Sequence, residues 1–244
     1  MKKIITTLVF VAMSTVSSKA IELPTLPELP DFGALSVTAG LSANTGVFGA
    51  SAKETNRRDD NTIGHTKEEH GVFTDSFSSQ FIELGIGQWI SVGYEHTPDA
   101  ITTPTNTSRH GNPAGENNVS VDFNDFDTTY LRLNLPVITG AYIKAGTVET
   151  DLDIKESMGS GSTYNNVSTE GDIVAMGYQG FLGETGFGFR FETAYLDLDD
   201  VFSSNGVASD GATVTNGGQN LIEASNLEGL TGKIAITYTL GRNN

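Results

Sequence analysis

The connections along this chain alternate between long and short, and that rhythm limits its fold more than any single residue does. Eight amphipathic strand-like segments can be traced, joined in the order long, short, long, short, long, short, long. Segments joined by tight turns pair as antiparallel hairpins. The sequence therefore predicts one meandering antiparallel sheet, with its short turns at one end and its long loops at the other.

Strand positions follow from two-residue alternation and from the residues that interrupt it. The predicted strands are Leu35–Ser51, Ser76–Ile86, Gln88–Thr97, Asp125–Leu135, Gly140–Ile154, Thr169–Leu182, Gly186–Asp199 and Leu227–Leu240. The predicted long loops are Ala52–Asp75, Pro98–Asn124, Lys155–Ser168 and Asp200–Asn226. Every short connection contains glycine, which tolerates the positive φ of a tight hairpin. No proline falls inside a predicted strand, where it would break the hydrogen-bonded ladder.

The alternation is clearest in the last two strands, where apolar and aromatic residues alternate with small, polar and charged ones. The residues predicted to face lipid are Phe187, Phe189, Phe191, Tyr195, Ile234, Ile236, Tyr238 and Leu240. An apolar outer face and a polar inner face are the pattern of a transmembrane barrel strand. A soluble sandwich also alternates, with its apolar face inward, so a periplasmic β-sandwich stays as an alternative.

Short turns at one end and long loops at the other are typical of barrels in a bacterial outer membrane. The predicted fold class is all-β: an eight-stranded antiparallel up-and-down transmembrane β-barrel over residues 35–244. Eight strands enclose a lumen just wide enough for side chains to fill it. The charged residues predicted to point into the lumen are Glu83, Glu95, Arg132, Lys144, Arg190, Glu192 and Lys233. Charges confined there need partners, so we expect a paired polar plug and not an open pore.

Residues 1–20 are predicted to be a secretory signal peptide. Lys2 and Lys3 precede an apolar stretch over Ile4–Met13, and Ser18-Lys19-Ala20 fits a small-x-small cleavage site. The stretch is too short to cross about 30 Å of hydrocarbon as a helix, so we expect cleavage after Ala20. Residues 21–34 contain Leu-Pro pairs every third residue. That spacing predicts a stiff periplasmic segment, with a docking peptide for a partner as the alternative.

Charge and cysteine content exclude several classes of protein. Cleavage leaves 11 basic residues against 30 acidic ones, a net charge of −19. Phosphate binding needs a basic surface, so we expect no nucleic-acid partner. The lack of cysteine excludes disulfides and thiolate metal ligands, and we predict no cofactor and no metal site.

Histidines and acidic runs are the candidates for chemistry. The four histidines are His65, His70, His96 and His110. His96 shares a predicted strand with Ser91 and Glu95, but its even number places it on the opposite face. The acidic runs Asp197–Asp200 and Asp122–Asp127 lack the spacing of a calcium loop. We therefore predict that the protein is not an enzyme.

The alternation over Leu35–Leu240, ending in Ala235-Ile236-Thr237-Tyr238-Thr239-Leu240, resembles the small eight-stranded outer-membrane barrels of Gram-negative bacteria, of the OmpA, OmpX and OmpW type. The last strand departs from that class in having Ala and Leu where Gly and Phe are common, and no peptidoglycan-binding domain is predicted after it. The resemblance implies outer-membrane lipids and lipopolysaccharide as surroundings, and the barrel-assembly machinery as a partner.

The predicted function is that of an integral outer-membrane barrel with a structural or surface-interaction role, whose loops could meet an extracellular ligand or a phage. The first alternative is a narrow porin or an OmpW-like channel for small, even apolar, solutes, which aromatic lumen residues such as Phe81 and Trp89 would favour. The second alternative is a lipid A-modifying enzyme, which requires a His, a Ser and an acid near one rim.

Overall fold

The computed structural model describes residues 35–110, 115–157, 163–206 and 219–241. The predicted signal peptide and the Pro-rich segment 21–34 lie outside these ranges. Within these ranges the regular secondary structure is entirely β-strand, and no helix is long and apolar enough to cross a membrane. The strands are β1 (Leu35–Arg57), β2 (Ile63–Ile86), β3 (Ile90–Thr97), β4 (Ile101–Thr102), β5 (Asn106–His110), β6 (Gly115–Asn134), β7 (Ala141–Ser157), β8 (Val167–Phe181), β9 (Phe187–Leu198), β10 (Val201–Ser204) and β11 (Leu221–Leu240).

Eight of these strands form a closed antiparallel ring. The hydrogen-bonded order is β1-β2-β3-β6-β7-β8-β9-β11, and β11 pairs back to β1 from Val37↔Leu240 to Thr55↔Leu221. The short strands lie outside the ring order, with β4 and β5 paired to β6 and β10 paired to β11. The predicted eight-stranded antiparallel barrel is therefore confirmed.

The three short turns lie at one end of the ring, between β2 and β3, β6 and β7, and β8 and β9. Gly87, Gly140, Gly183 and Gly186 in these turns adopt φ values of 63°, 88°, 63° and 81°. Glycine reaches such angles without a Cβ clash. The glycines therefore allow these turns to be short. In outer-membrane barrels the short turns lie at the periplasmic end.

The predicted loop boundaries were wrong at the other end of the barrel. Instead of a loop over Ala52–Asp75, β1 and β2 continue as one long hairpin with a tight turn at residues 58–62. β6 begins at Gly115 rather than Asp125, and β11 begins at Leu221 rather than Leu227. The β1–β2 extension carries polar residues on both faces, so it lacks the apolar alternation that marks a half-buried strand. The β6 extension does alternate, with Val119, Val121 and Phe123 on one face, and that signal was missed. The backbone ladder continues through these extensions.

The outer face of the ring is an apolar belt. In β9 and β11, Phe187, Phe191, Ile234 and Ile236 are between 49% and 69% exposed, while the residues between them are mostly buried. The remaining residues predicted to face lipid are Phe189, Tyr195, Tyr238 and Leu240, all of which lie on this same outer face. On β11 the belt runs from Leu240 to Leu230, which matches the ~25 Å apolar band of outer-membrane barrels.

The interior has two parts with opposite chemistry. Near the short turns it is polar and charged, whereas farther up it is an apolar cluster that includes Phe48, Phe126, Val148 and Leu196. The upper cluster was not predicted from the sequence. The sequence does contain a signal for it. On β9 the inward-facing positions that begin with Arg190 and Glu192 continue as the apolar residues Ala194, Leu196 and Leu198.

Candidate functional site: the barrel lumen

The seven charged residues predicted to face the lumen are all buried inside the barrel, and each makes an ionic contact with at least one other of the seven. They come from six strands: β2, β3, β6, β7, β9 and β11. The side chains of Glu83, Lys144 and Glu192 are 1% exposed, and that of Arg190 is 2% exposed. The seven residues sort into two groups that touch different partners.

The first group is the arginine cluster, formed by Glu83, Arg132, Arg190 and Gln179. Arg190 donates to both oxygens of Glu83, at 2.7 and 2.8 Å, in a bidentate pair. Arg132 Nη2 lies 3.3 Å from Glu83 Oε2. Gln179 Oε1 accepts a hydrogen bond of 2.8 Å from each of the two guanidiniums. The planar guanidinium suits such shared, fixed geometry better than a lysine would.

The second group is the lysine–glutamate quartet, formed by Glu95, Lys144, Glu192 and Lys233. Lys144 Nζ lies 2.7 Å from Glu192 and 3.4 Å from Glu95. Lys233 Nζ lies 2.6 Å from Glu95 and 3.1 Å from Glu192. Each ammonium therefore contacts both carboxylates, so the charges alternate around a ring and the quartet is neutral.

Aromatic side chains complete both groups, and Phe81 is among those that the sequence predicted to line the lumen. Tyr130 donates to Glu83 at 2.9 Å, and Tyr142 donates to Glu192 at 2.8 Å. The Arg190 guanidinium lies 4.6 Å from the centre of the Phe81 ring. Trp89, which was grouped with Phe81 in the prediction, lies in the turn between β2 and β3.

Glycines on the inner face make room for these rings. A Cβ at Gly93 would lie 2.4 Å from the Tyr130 ring, and one at Gly40 would lie 2.2 Å from the Phe81 ring. Small residues opposite large ones let a narrow barrel fill its interior. Tyr130 is two residues from Arg132 on the same strand, so the two side chains share a face. This spacing indicates that Tyr130 faces the lumen.

Because the contacts join strands on opposite walls, the two groups cross the lumen. Glu83 on β2 meets Arg190 on β9, 107 positions away, and Glu95 on β3 meets Lys233 on β11. All seven charged side chains are nearly inaccessible to solvent. The ion pairs therefore occupy the part of the lumen that a continuous aqueous channel would have to cross.

Above the plug, the apolar cluster surrounds a cavity of about 40 Å³. Its wall includes Phe48, Phe73, Ile101, Phe123 and Phe126. A space of this size and chemistry suits a few apolar atoms, whereas water needs polar partners to enter such a site.

The wall beside this cavity contains a seam without strand pairing. β3 ends at Thr97. Among the described residues, the part of β2 that precedes Gln80 therefore pairs only with β1. Side chains bridge the gap instead: Asp75 accepts from the Thr102 N–H at 3.0 Å, and Asp99 accepts from the Ser78 hydroxyl at 3.0 Å. Glu69 also accepts a hydrogen bond from Asn106.

The histidines do not form a catalytic group with the serines singled out in the sequence. His96 faces outward and lies 2.6 Å from Asp127, whereas Ser91 faces the lumen and accepts a hydrogen bond from Arg132. His70 lies 2.8 Å from Ser51, its cross-strand neighbour, on the exposed hairpin. In the described part of the chain, no group of three His, Asp or Glu residues is placed to hold a metal ion.

Comparison with known structures identifies the architecture. The outer membrane protein OprG of Pseudomonas aeruginosa is 13% identical, with a TM-score of 0.51, and the match covers 83% of this chain and 97% of OprG. The chain has the fold of a small outer-membrane β-barrel.

Two weaker structural matches belong to the same broad class. The attachment invasion locus protein Ail of Yersinia pestis is 10% identical, with a TM-score of 0.36, over 82% of this chain and 98% of Ail. The outer membrane protease OmpT of Escherichia coli is 13% identical, with a TM-score of 0.42, over 89% of this chain and 99% of OmpT. No protein-family model and no curated protein matches the sequence.

Proposed function

We propose that this protein is an integral outer-membrane barrel with a closed lumen and a structural or surface-interaction role. The observation that carries the proposal is the pair of ionic groups that join opposite walls of the barrel. Breaking such buried pairs without replacing both partners is costly. The plug therefore belongs to the folded state, and the parts free to meet a partner are those above the belt.

The surface role rests on the long β1–β2 hairpin. It continues well past the apolar belt and ends in a turn at residues 58–62, where Arg58 and Asn61 are exposed. Its partners would be lipopolysaccharide at its base and an extracellular ligand or a phage at its tip. The last strand, β11, would serve assembly by the barrel-assembly machinery, and we assign the protein no catalytic role.

Trypsin treatment of intact cells tests this orientation. We expect cleavage after Arg57 or Arg58 from outside, because the hairpin turn would project from the cell. An Arg57→Gln/Arg58→Gln variant should resist cleavage there and still reach the outer-membrane fraction. Cleavage of the wild-type turn only after cell lysis would overturn the proposal.

A second function, passage of small apolar solutes, is favoured by the apolar cavity beside the unpaired seam. A solute could enter the upper cavity from outside without crossing the charged plug. Ala50 lines this cavity, so Ala50→Phe should fill it, while Ala52→Phe on the exposed hairpin is the matched control. The probe is radiolabelled toluene entering intact cells. Slower entry with Ala50→Phe alone would support passage, and equal rates for both variants and wild type would remove this function.

A further inference from the structure

The buried charges of the lumen do not balance. In the described residues, four cations, namely Arg132, Lys144, Arg190 and Lys233, face three carboxylates. The lysine–glutamate quartet is neutral by itself, so the excess positive charge belongs to the arginine cluster. There two guanidiniums share one carboxylate, Glu83, and the neutral amide of Gln179. An uncompensated charge in a low-dielectric interior is costly.

Both arginines of this cluster, and one threonine on the same inner face of the barrel, have buried polar atoms without partners. Within the described part of the chain, Arg132 Nε, Arg190 Nε and Thr237 Oγ1 are buried and make no hydrogen bond. Thr237 is fully buried, and its cross-strand partner is Gly188, two residues from Arg190 on the same inner face. Three orphaned donors beside one excess positive charge are chemically consistent with a bound anion.

Hydroxyl groups surround the cluster on the side of the short turns. Ser91 contacts Arg132 at 3.2 Å, and Thr38 is the cross-strand partner of Glu83. Thr38 and Thr239 share a hydrogen bond of 2.9 Å. Hydroxyl groups rotate to donate or accept as needed, so they can complete the surroundings of a small anion that guanidiniums attract.

We propose that a monovalent anion of the size of chloride binds at the arginine cluster, beside Arg132, Arg190 and Thr237. The anion neutralises the lumen and accepts hydrogen bonds that the protein leaves unmade. A water molecule could accept the same hydrogen bonds but would leave the charge in place. The site goes beyond the proposed function, because a barrel that fails to bind a halide could still be closed and surface-exposed.

Gln179→Glu is the decisive variant. It places a fourth carboxylate where Gln179 already accepts from both guanidiniums, so it supplies within the protein the charge that the anion would bring. Gln80→Glu on the outer face of β2 adds the same charge outside the lumen and is the matched control. Thermal unfolding of each protein in detergent is followed as sodium chloride replaces sodium gluconate at constant ionic strength, since gluconate is too large for the site.

Ligands that bind only the folded state stabilise it, and the unfolding temperature rises with the logarithm of ligand concentration once that exceeds Kd. We expect chloride to raise the Tm of the wild type and of Gln80→Glu, and to leave that of Gln179→Glu unchanged. Crystals of the wild type soaked in sodium bromide should show an anomalous peak at the arginine cluster. Equal chloride responses in wild type and Gln179→Glu would overturn the proposal, and so would a bromide-soaked crystal without that peak, even if the variant fails to fold.

Discussion

At the scale of single residues, the lumen depends on each charged side chain having its partner. Glu83, for example, contacts Arg190, Arg132 and Tyr130, and it is the one carboxylate that both arginines share. The parity of each strand predicts which charged residues face inward. The identity of their partners was not predictable, because contacts across a barrel depend on strand stagger and not on spacing in the sequence.

Glu83→Gln should be strongly destabilising. The change keeps the shape of the side chain but leaves two buried guanidiniums without a counter-charge, a loss of about 3–5 kcal/mol in the free energy of unfolding. Urea unfolding followed by electrophoretic mobility measures it. Glu149→Gln on the exposed outer face of β7 is the control, with little change expected. Equal stability of the two variants would show that the pairing contributes nothing.

Gly40→Ala tests the close packing of the lumen. The new methyl group would lie within 2.2–2.8 Å of the Phe81 ring and should push that ring off Arg190, at a cost of about 1–3 kcal/mol for overpacking. Gly232→Ala is the matched control, because a Cβ there meets nothing within 4 Å. A Gly40→Ala protein as stable as Gly232→Ala would contradict the packing described for Phe81.

At the scale of elements, the strands above the belt differ from those within it in how the sequence encodes them. Within the belt, apolar alternation marked β9 and β11 correctly. Above it, the paired segments around Glu54 and Lys67 are polar on both faces, so composition indicated a loop where the ladder continues. Cross-strand pairs such as Lys53–Glu68, 3.8 Å apart, leave no periodic signal in a single sequence.

The seam between β2 and β4 should depend on Asp75. Its carboxylate accepts the Thr102 N–H in place of a strand partner, so Asp75→Ala should speed hydrogen exchange at the Thr102 amide. Asp60→Ala removes a similar carboxylate bond to the Thr62 N–H in the hairpin turn, and should speed exchange at Thr62 alone. Unchanged protection of Thr102 in Asp75→Ala would mean that another contact holds the seam.

In the extended part of the β6–β7 pair, we expect the carboxyl group of Asp122 to have a lowered pKa. The Lys155 ammonium, 2.7 Å away, lowers the pKa of Asp122 below its ordinary 3.8. A lowered pKa stabilises the fold above pH 4, and this contribution is lost as the pH falls through the folded-state value. Carbon NMR titration should give a midpoint below 3.8, and Lys155→Met should return it toward that value. Lys53→Met, which removes an ammonium from the other hairpin, should leave it unchanged.

At the scale of the whole molecule, an apolar belt, a charged plug and an apolar upper cluster follow one another along the barrel. The first two follow from alternation and strand number, which the sequence carries. The upper cluster needs the closed ring, because residues such as Phe48 on β1 and Leu196 on β9 meet only when β1 pairs with β11. These three layers are the basis of the proposal that the membrane-spanning wall surrounds a closed lumen.

Ionic conductance across a planar lipid bilayer tests the closed lumen most directly. Refolded wild-type protein is inserted, and its folded state is verified by a change in electrophoretic mobility on boiling. We expect no discrete conductance steps, because the arginine cluster and the lysine–glutamate quartet fill the lumen from wall to wall. Reproducible steps that disappear when the protein is boiled beforehand would show a continuous aqueous path and would contradict the closed barrel.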